Sequence, residues 1–254
     1  MPEFRVVIPA RYASTRLPGK LLELLDNRSV LSHVIDKANL SGATEVIVAT
    51  DSQQIADSIR NESCRVVQTS SAHQSGTDRI AEVVISENWN PDEIVVNVQG
   101  DEPLIDPQLI QDIVSSLEKN IDSSMSTAAH KIDSATELFN PNLVKVVCDR
   151  EGSALFFSRA PIPWDRDQFN VTREKLHEEY RAQGHIGIYG YRAAFLRTFQ
   201  NLQVGKLEAI EKLEQLRALE NGFKISVVSV LHKPEAGIDT LEDLDRVRNL
   251  IGAI

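Results

Sequence analysis

Short apolar runs alternate with helical repeats along the first half of the chain. The runs at 5–8, 45–50, 64–67 and 94–98 have the length and composition of buried strands. Between them, apolar residues at helical spacing cover 30–40, 55–59 and 80–85. Strands that alternate with helices form parallel sheets, because each helix returns the chain to the same end of the sheet. This half therefore predicts an α/β fold with a mostly parallel, doubly wound, Rossmann-like sheet.

The second half departs from this regular alternation. Two apolar runs, 144–149 and 154–158, flank a polar turn and predict a hairpin, while 124–130, 185–191 and 225–230 are strand-like. Helices are predicted at 192–199, at 207–219 as one amphipathic helix, and at 241–251 after a cap at Thr240.

Composition and charge narrow the range of functions. Hydrophobic residues make up 42% of the 254 residues, enough for a sizeable core, and the formal net charge is −10. An acidic chain argues against a general nucleic-acid or membrane-surface binder, whose footprint is basic. Cys64 and Cys148 are far apart, which fits small core residues in a reducing compartment. No apolar run reaches the length of a membrane span, so we expect a soluble cytoplasmic protein.

A basic loop follows the first predicted strand. The stretch PARYASTRLPGK at 9–20 carries Arg11, Arg16 and Lys20, with a Pro-Gly turn just before the lysine. Open α/β sheets bind ligands beyond the carboxyl ends of their strands, and three cations there favour a polyphosphate. The stretch is not a Walker A loop, because Leu21 stands where Ser or Thr would hold magnesium. The alternative is a solvated basic loop.

A second polar loop, HQSGTDR at 73–79, leads into the helix at 80–85. Thr77 is a plausible cap, and Gly76 would allow backbone amides at the helix start to face a base or a phosphate. An ordinary capped turn explains these residues about as well.

A carboxylate follows the most apolar strand. After 94–98 the chain reads QGDEP, which places Asp101 beyond the carboxyl end of a central strand, where it can hold a metal beside phosphates. Asp239, just before the last helix, is a second possible metal position. The alternative for Asp101 is a helix cap.

Two arginines and a histidine in the second half favour an anion site. Arg159 and Arg166 flank a proline-rich segment near Trp164, and His185 follows on a predicted strand. A lone histidine on a strand is more commonly structural, and both interpretations stay open.

Taken together, these motifs give the chain a close resemblance to the 3-deoxy-manno-octulosonate (Kdo) cytidylyltransferases. The resemblance covers nearly the whole length and depends on eight ordered segments, PARYASTRLPGK (9–20), ATD (49–51), HQSGTDR (73–79), NVQGDEP (97–103), FSRAPIPWDRD (157–167), HIGIYGYR (185–192), LEQLRALENG (213–222) and GIDTLEDL (237–244).

The resemblance implies one nucleotidyltransferase domain over 1–254, in which about 124–200 contains a smaller part for sugar binding and dimerisation. It implies the reaction of CTP with Kdo to give CMP-Kdo and pyrophosphate for lipopolysaccharide synthesis, with Mg²⁺ as cofactor and a homodimer as the assembly. The implied site residues are Arg11, Ser14 and Lys20 at the triphosphate, His73, Gln74, Ser75, Gly76 and Thr77 beside the cytidine, Asp101 and Asp239 at the magnesium, and Gln99, Arg159, Arg166, His185, Tyr189 and Glu211 around the sugar acid.

Several points stay open at this stage. Leu21 and the turn Asn27-Arg28-Ser29 depart from the family pattern, and no side chain stands out as a general base.

A metal-free pair of Asp101 and Asp239 would repel, so Asp101→Asn is expected to leave the melting temperature unchanged or higher. The rivals are a cytidylyltransferase for another sugar acid, a glycosyltransferase using the DRD at 165–167, and a regulatory protein without turnover.

Overall fold

The computed structural model describes residues 3–13, 16–73 and 75–252. The strands are β1 (Phe4–Ala10), β2 (Leu24–Leu25), β3 (Arg28–Ser29), β4 (Glu45–Thr50), β5 (Arg65–Gln68), β6 (Ile94–Asn97), β7 (Ser123–Lys131), β8 (Lys145–Cys148), β9 (Ala154–Ser158), β10 (Gln183–Arg192) and β11 (Lys224–Val230). The α-helices are α1 (Val30–Leu40), α2 (Gln53–Ser58), α3 (Gly76–Ser86), α4 (Pro107–Lys119), α5 (Ala135–Leu138), α6 (Ala193–Phe199), α7 (Lys206–Glu211), α8 (Gln215–Glu220) and α9 (Leu241–Ile251). A single turn of 3-10 helix covers Lys20–Leu22.

The chain divides into two compact units. The first contains the residues up to Ser115, Gly190–Gln200 and the residues from Pro234 onward. Its strands lie in the order β6-β1-β4-β5, all parallel. Val6, Val7 and Ile8 of β1 have no exposed surface, as expected for a strand covered on both faces. This is the mostly parallel sheet that the apolar runs predict.

Parallel strands bring their carboxyl ends to one edge of this sheet. β1 ends at Ala10, just before the basic loop, and β6 ends at Asn97, just before Gly100 and Asp101. A β-carbon on Gly100 would lie 3.4 Å from the carbonyl oxygen of Pro9, so the two loops pack closely there. The predicted phosphate and metal residues therefore meet at the edge where such folds bind ligands.

The two departures from the family pattern lie in regular local structure. Leu21 is buried within the 3-10 turn. Asp26 and Asn27 have positive φ and form the turn between β2 and β3, a conformation that Asn and Asp tolerate. The side chain of Ser29 caps α1 by accepting from the Ser32 amide.

The second unit contains Ser116–Tyr189 and Asn201–Lys233. In it β11 pairs in parallel with β7, β7 neighbours β10, and β8 is antiparallel to both β10 and β9. The hairpin predicted around 149–152 is confirmed, with Gly152 at positive φ in the turn.

Two predictions of local structure are wrong. The single helix predicted over 207–219 is two helices, α7 and α8, because Lys212 adopts a left-handed conformation with φ of 55° and ends α7. Apolar spacing continues across the break, so periodicity could not reveal it. The cap of α3 is Ser75 rather than Thr77, since the Ser75 side chain accepts from the Asp78 amide. Thr240 caps α9 as predicted, in a reciprocal capping box with Asp243.

None of the helices formed by the described residues combines the length and the apolar character needed to cross a bilayer.

Candidate active site

Three residues far apart in the sequence meet at the carboxyl edge of the first unit. Lys20 Nζ donates to Asp101 Oδ2 at 2.5 Å and to Asp239 Oδ1 at 2.9 Å. Its third hydrogen bond goes to the Ile238 carbonyl at 2.7 Å. The ammonium is therefore fully satisfied by the two carboxylates and one backbone oxygen.

The backbone brings the two aspartates together. The amide of Ile238 donates to the Asp101 carbonyl at 2.8 Å, and a β-carbon on Gly237 would lie only 3.1 Å from that same oxygen. Glycine at 237 therefore permits the close approach that places Asp239 beside Asp101. Asp239 sits directly before α9, so the capping box of that helix also fixes its position.

The charges in this group compensate one another. Burial alone lowers the pKa of Lys20, but the charges and hydrogen bonds of Asp101 and Asp239 outweigh burial and raise it. Arg16 adds an ion pair, with Nη2 2.8 Å from Asp239 Oδ2. Lys20 thus stays protonated at neutral pH and neutralises a carboxylate pair that would otherwise repel.

The donor set fits a hard divalent cation supported by substrate. Asp101 and Asp239 both contact the same positive charge, the Lys20 ammonium. Carboxylate oxygens are also the ligands that Mg²⁺ prefers. Within residues 3–13, 16–73 and 75–252, no group of three or more His, Cys, Asp or Glu could hold a metal. A cation bound here would take the two aspartates as its protein ligands, and phosphate or water oxygens would complete its coordination.

A cavity of about 350 Å³ opens beside these residues. Its lining combines the loop after β1, the start of α3 and the loop after β6, as Pro9, Arg11, Ala13, Lys20, Leu21, Gly76, Gln99, Gly100 and Asp101. Gln99, which the family resemblance assigns to the sugar acid, lines the same cavity. Cations on one side and an aspartate on another suit a phosphorylated ligand with its counter-ion.

The loop before α3 is held by its own polar contacts. His73 Nε2 lies 2.5 Å from Glu82 Oε2, and the His73 carbonyl accepts from Arg11 Nη1 at 3.5 Å. Although burial acts in the opposite direction, the Ser70 amide and His73 lower the pKa of Glu82. The hydroxyl of Ser75 is engaged as the helix cap, and that of buried Thr77 lies 3.4 Å from the Tyr191 hydroxyl. Ser14 and Gln74 lie outside the described residues.

One buried cation that supports this loop was missed at the sequence level. Arg79 of α3 has no exposed surface, pairs with Asp51 at 3.2 Å and donates to the Thr69 hydroxyl. It therefore fixes the first turn of α3 against the ends of β4 and β5. The motifs ATD and HQSGTDR contain Asp51 and Arg79, but sequence spacing alone does not pair them.

In the second unit, Arg159 and Glu211 form one cluster. Glu211 Oε2 accepts from the Arg159 amide at 3.0 Å, and its Oε1 accepts from the Ser158 hydroxyl at 2.6 Å. The Arg159 side chain donates from Nε to the Glu211 carbonyl and from Nη1 to the Pro141 carbonyl, at 2.8 and 3.0 Å. Nη2 of Arg159 has no acceptor among the residues that the structure describes, so it is the nitrogen available to an acid.

His185 and Tyr189 form a neighbouring aromatic pair on β10. Their ring centroids are 5.4 Å apart, and Phe157 packs edge-on against His185 at 5.1 Å. Burial lowers the pKa of His185 to about 3, although part of the side chain stays accessible. The ring is therefore neutral at neutral pH, so it can meet an anion or a sugar as a hydrogen-bond partner and not as a cation.

The hydrogen bonds of Thr127 assign the tautomer of His185. The Thr127 hydroxyl lies 2.7 Å from the Ile188 carbonyl, to which it can only donate, and 2.9 Å from His185 Nε2. Nε2 therefore carries the imidazole proton, and Nδ1 is an acceptor.

Arg166 differs from the other predicted sugar-acid residues. It is exposed and makes no hydrogen bond or ion pair with any part of the chain that the structure describes. Asp165, in the same loop, accepts from the Gln168 amide at 3.0 Å. Asp165 of the DRD segment thus stabilises a local turn in the connection between β9 and β10.

Comparisons with known proteins show the family to which the chain belongs. A family model described as cytidylyltransferase matches residues 5–225. The chain belongs to the cytidylyltransferase family. Two curated relatives, from Histophilus somni strains 2336 and 129Pt, are 48% and 47% identical over 99% of both chains and are named 3-deoxy-manno-octulosonate cytidylyltransferase.

Solved structures of related proteins confirm the fold class. A structure of CMP:2-keto-3-deoxy-manno-octonic acid synthetase complexed with CTP is 35% identical, has a TM-score of 0.90 and is covered over 99% of both chains. A nucleotidyl transferase from Methanothermobacter, 17% identical with a TM-score of 0.63, covers 99% of this chain and 98% of its own. At that identity the second likeness concerns the fold alone.

Proposed function

We propose that this protein transfers CMP from CTP to the sugar acid Kdo and releases pyrophosphate. The observation that carries the proposal is the Lys20–Asp101–Asp239 group beside Arg11 in a polar cavity, at the carboxyl edge of a parallel sheet. Relatives named for this activity match the chain over 99% of its length.

The first unit binds the nucleotide. Arg11 and Lys20 supply positive charge to the phosphates, and the start of α3 borders the cavity through Gly76. The Ser75 hydroxyl caps α3 by accepting from the Asp78 amide, and its O–H hydrogen remains to donate to the nucleotide. Ser14 and Gln74 keep their proposed roles at the triphosphate and the cytidine.

Asp101 and Asp239 are the proposed ligands of Mg²⁺. When bound there, the cation supplies charge neutralisation for the phosphates and lowers the pKa of a coordinated hydroxyl. In the ligand-free chain Lys20 donates to both carboxylates and to the Ile238 carbonyl, so it must release at least one of these three partners to reach a phosphate oxygen. This exchange keeps positive charge beside the aspartates throughout.

The reaction forms a bond between the anomeric oxygen of the sugar and the α-phosphorus, and breaks the bond from that phosphorus to the pyrophosphate oxygen. Charge develops on the phosphoryl and leaving oxygens, so fixed cations at Arg11 and Lys20 stabilise the transition state more than the ground state. The sugar hydroxyl loses its proton in this step, and no side chain is assigned to receive it.

The second unit holds the sugar acid. Nη2 of Arg159 and the exposed guanidinium of Arg166 are the proposed partners of the carboxylate. Neutral His185, with Nδ1 as an acceptor, and Tyr189 suit sugar hydroxyls. Glu211 is a further proposed contact to the acid. Gln99, which lines the cavity of the first unit, keeps its proposed role in substrate binding.

The proposed assembly is a homodimer. The second unit exposes Leu155 at 62% and Ile210 at 79%, large apolar side chains that a second copy would cover. A mass from light scattering equal to one chain would contradict this assembly.

Pyrophosphate release tests the proposed function. The purified protein is incubated with magnesium and each of CTP, UTP and ATP against Kdo, 8-amino-Kdo and N-acetylneuraminate. We expect release only with CTP, and fastest with Kdo. Release with another acid would reassign the substrate, and CTP binding without release would favour a regulatory protein.

A further inference from the structure

Lys145 of β8 is a lysine with no exposed surface in the second unit. Its Nζ donates to three backbone carbonyls, those of Asn140 at 3.0 Å, Leu143 at 2.7 Å and Arg159 at 2.6 Å. No carboxylate lies within ion-pair distance of it in the part of the chain that the structure describes. All three ammonium hydrogens are thus donated to main-chain oxygens.

These bonds connect the turn at 140–143 to Arg159 of the Arg159–Glu211 cluster. Lys145 joins the turn at 140–143 to the main chain at Arg159, and Nη1 of Arg159 returns to the same turn through the Pro141 carbonyl. The direction of Nη2, the guanidinium nitrogen left for an acid, therefore depends on this crosslinked frame.

A lysine that served only to fill space at this position would lower the stability of the fold. Burying an ammonium costs free energy, and an apolar side chain of similar volume is often neutral or stabilising instead. Burial lowers the pKa of Lys145, the charge of Glu211 partly opposes that effect, and the charge of Arg159 adds to it. The charges that act on Lys145 are thus those of the cluster whose main chain it holds.

We propose that Lys145 is a positioning residue for the sugar acid, which acts by fixing the main chain of Arg159 rather than by touching substrate. This inference extends the proposed function and depends on it. No group on Lys145 remains to bind a ligand, since its three donors are engaged. Its effect must therefore pass through Arg159 and Glu211.

Steady-state kinetics of Lys145→Met test the proposal. The variant keeps the length of the side chain and removes its donors. We expect KM for Kdo to rise at least tenfold and KM for CTP to change less than twofold. The matched control is Ile225→Ala, which disturbs the buried core of the same unit and removes none of the hydrogen bonds of the cluster. The control should alter both KM values little.

A second variant and a second measurement keep the test decisive if Lys145→Met folds poorly. Lys145→Gln retains two amide hydrogens, and we expect a smaller rise in KM for Kdo. Hydrogen exchange at 158–160 should be faster in both Lys145 variants than in Ile225→Ala. Equal changes in the two KM values, or exchange no faster than in the control, would overturn the positioning role.

The two proposals fail in different ways. If the wild type uses a sugar acid other than Kdo, the proposed substrate is wrong and the KM comparison is made with that acid. If the wild type uses Kdo and Lys145→Met keeps its KM for Kdo, only the role of Lys145 is wrong.

Discussion

Lys20 Nζ lies 2.5 Å from Asp101 Oδ2, and the same nitrogen lies 2.9 Å from Asp239 Oδ1. The two proposed metal ligands are therefore not a bare carboxylate pair in the ligand-free chain. A cation of the protein already holds them, and Arg16 adds a second positive charge at Asp239. This arrangement changes what substitutions at the site should do.

Lys20→Met should lower kcat/KM for CTP more than tenfold, since it removes a cation aimed at the phosphates. In the absence of nucleotide, it should also bind Mn²⁺ at least threefold more tightly, because Lys20 no longer competes for the two carboxylates. Electron paramagnetic resonance of free Mn²⁺ measures the second effect. Arg28→Met, which removes a cation paired with Asp36 and Glu62, is the control. Unchanged Mn²⁺ affinity in Lys20→Met would contradict the competition.

Asp101→Asn should lower the free energy of unfolding by about 1.5–3 kcal/mol, the usual contribution of a hydrogen bond to a charged group. This reverses the expectation from the sequence, which assumed repulsion between the aspartates. In a Lys20→Met background the same substitution should cost less or stabilise, because there the carboxylates do repel. Urea unfolding of the wild type, the two single variants and the double variant measures the coupling between Lys20 and Asp101.

Asp57→Asn, which breaks an exposed ion pair with Arg60, is the surface control for that cycle and should have little effect. Equal effects of Asp101→Asn with and without Lys20 would mean that the two residues are not coupled.

Features of the fold that depend on neighbouring residues can be predicted from the sequence, whereas features that depend on distant segments cannot. The parallel strands of the first unit follow from local apolar runs, and Thr240 caps its helix as its position suggests. The break at Lys212 does not, because its cause is a backbone conformation that apolar spacing does not record. Periodicity reports which face is buried and not whether the helix continues.

The same distinction between local and long-range features applies to the candidate site. Residue types and motif order indicate Lys20, Asp101 and Asp239 as functional, yet the ion pairs among them span 81 and 219 positions and need the fold. The neutral state of His185 and the burial of Lys145 and Arg79 depend on packing from distant segments. A sequence lists such groups without indicating what surrounds them.

Arg166→Gln should raise KM for Kdo at least tenfold and leave KM for CTP and the melting temperature nearly unchanged. The stability effect is small because Arg166 is exposed and pairs with no residue that the structure describes. Arg150→Gln, an exposed arginine on the β8–β9 turn, is the matched control. Steady-state kinetics with each substrate varied in turn measures the effect, and equal rises in both KM values would place Arg166 elsewhere.

His185 should make the folded protein less stable at acidic pH. Its folded-state pKa of about 3 lies below the ordinary value near 6.5, so the unfolded chain takes up the proton first. The contribution of neutral His185 to the free energy of unfolding is complete above about pH 6.5. It is lost as pH falls towards 3, by about 1.4 kcal/mol per pH unit.

Urea unfolding at pH 7.5 and 5.5 checks this dependence. The wild type should lose more free energy of unfolding between these values than His185→Gln, whereas His232→Gln, at an exposed position, should behave as the wild type. A His185→Gln protein with the wild-type pH dependence would contradict the neutral imidazole.

The central claim is the transfer of CMP to Kdo, and mass spectrometry of the reaction mixture tests it most directly. CTP, Kdo and magnesium are incubated with the enzyme, and CMP-Kdo and pyrophosphate are measured together at early times. We expect equal amounts of the two products, and at least tenfold less of each with Lys20→Met over the same period. Pyrophosphate accompanied only by free CMP, or no CMP-Kdo at all, would contradict it.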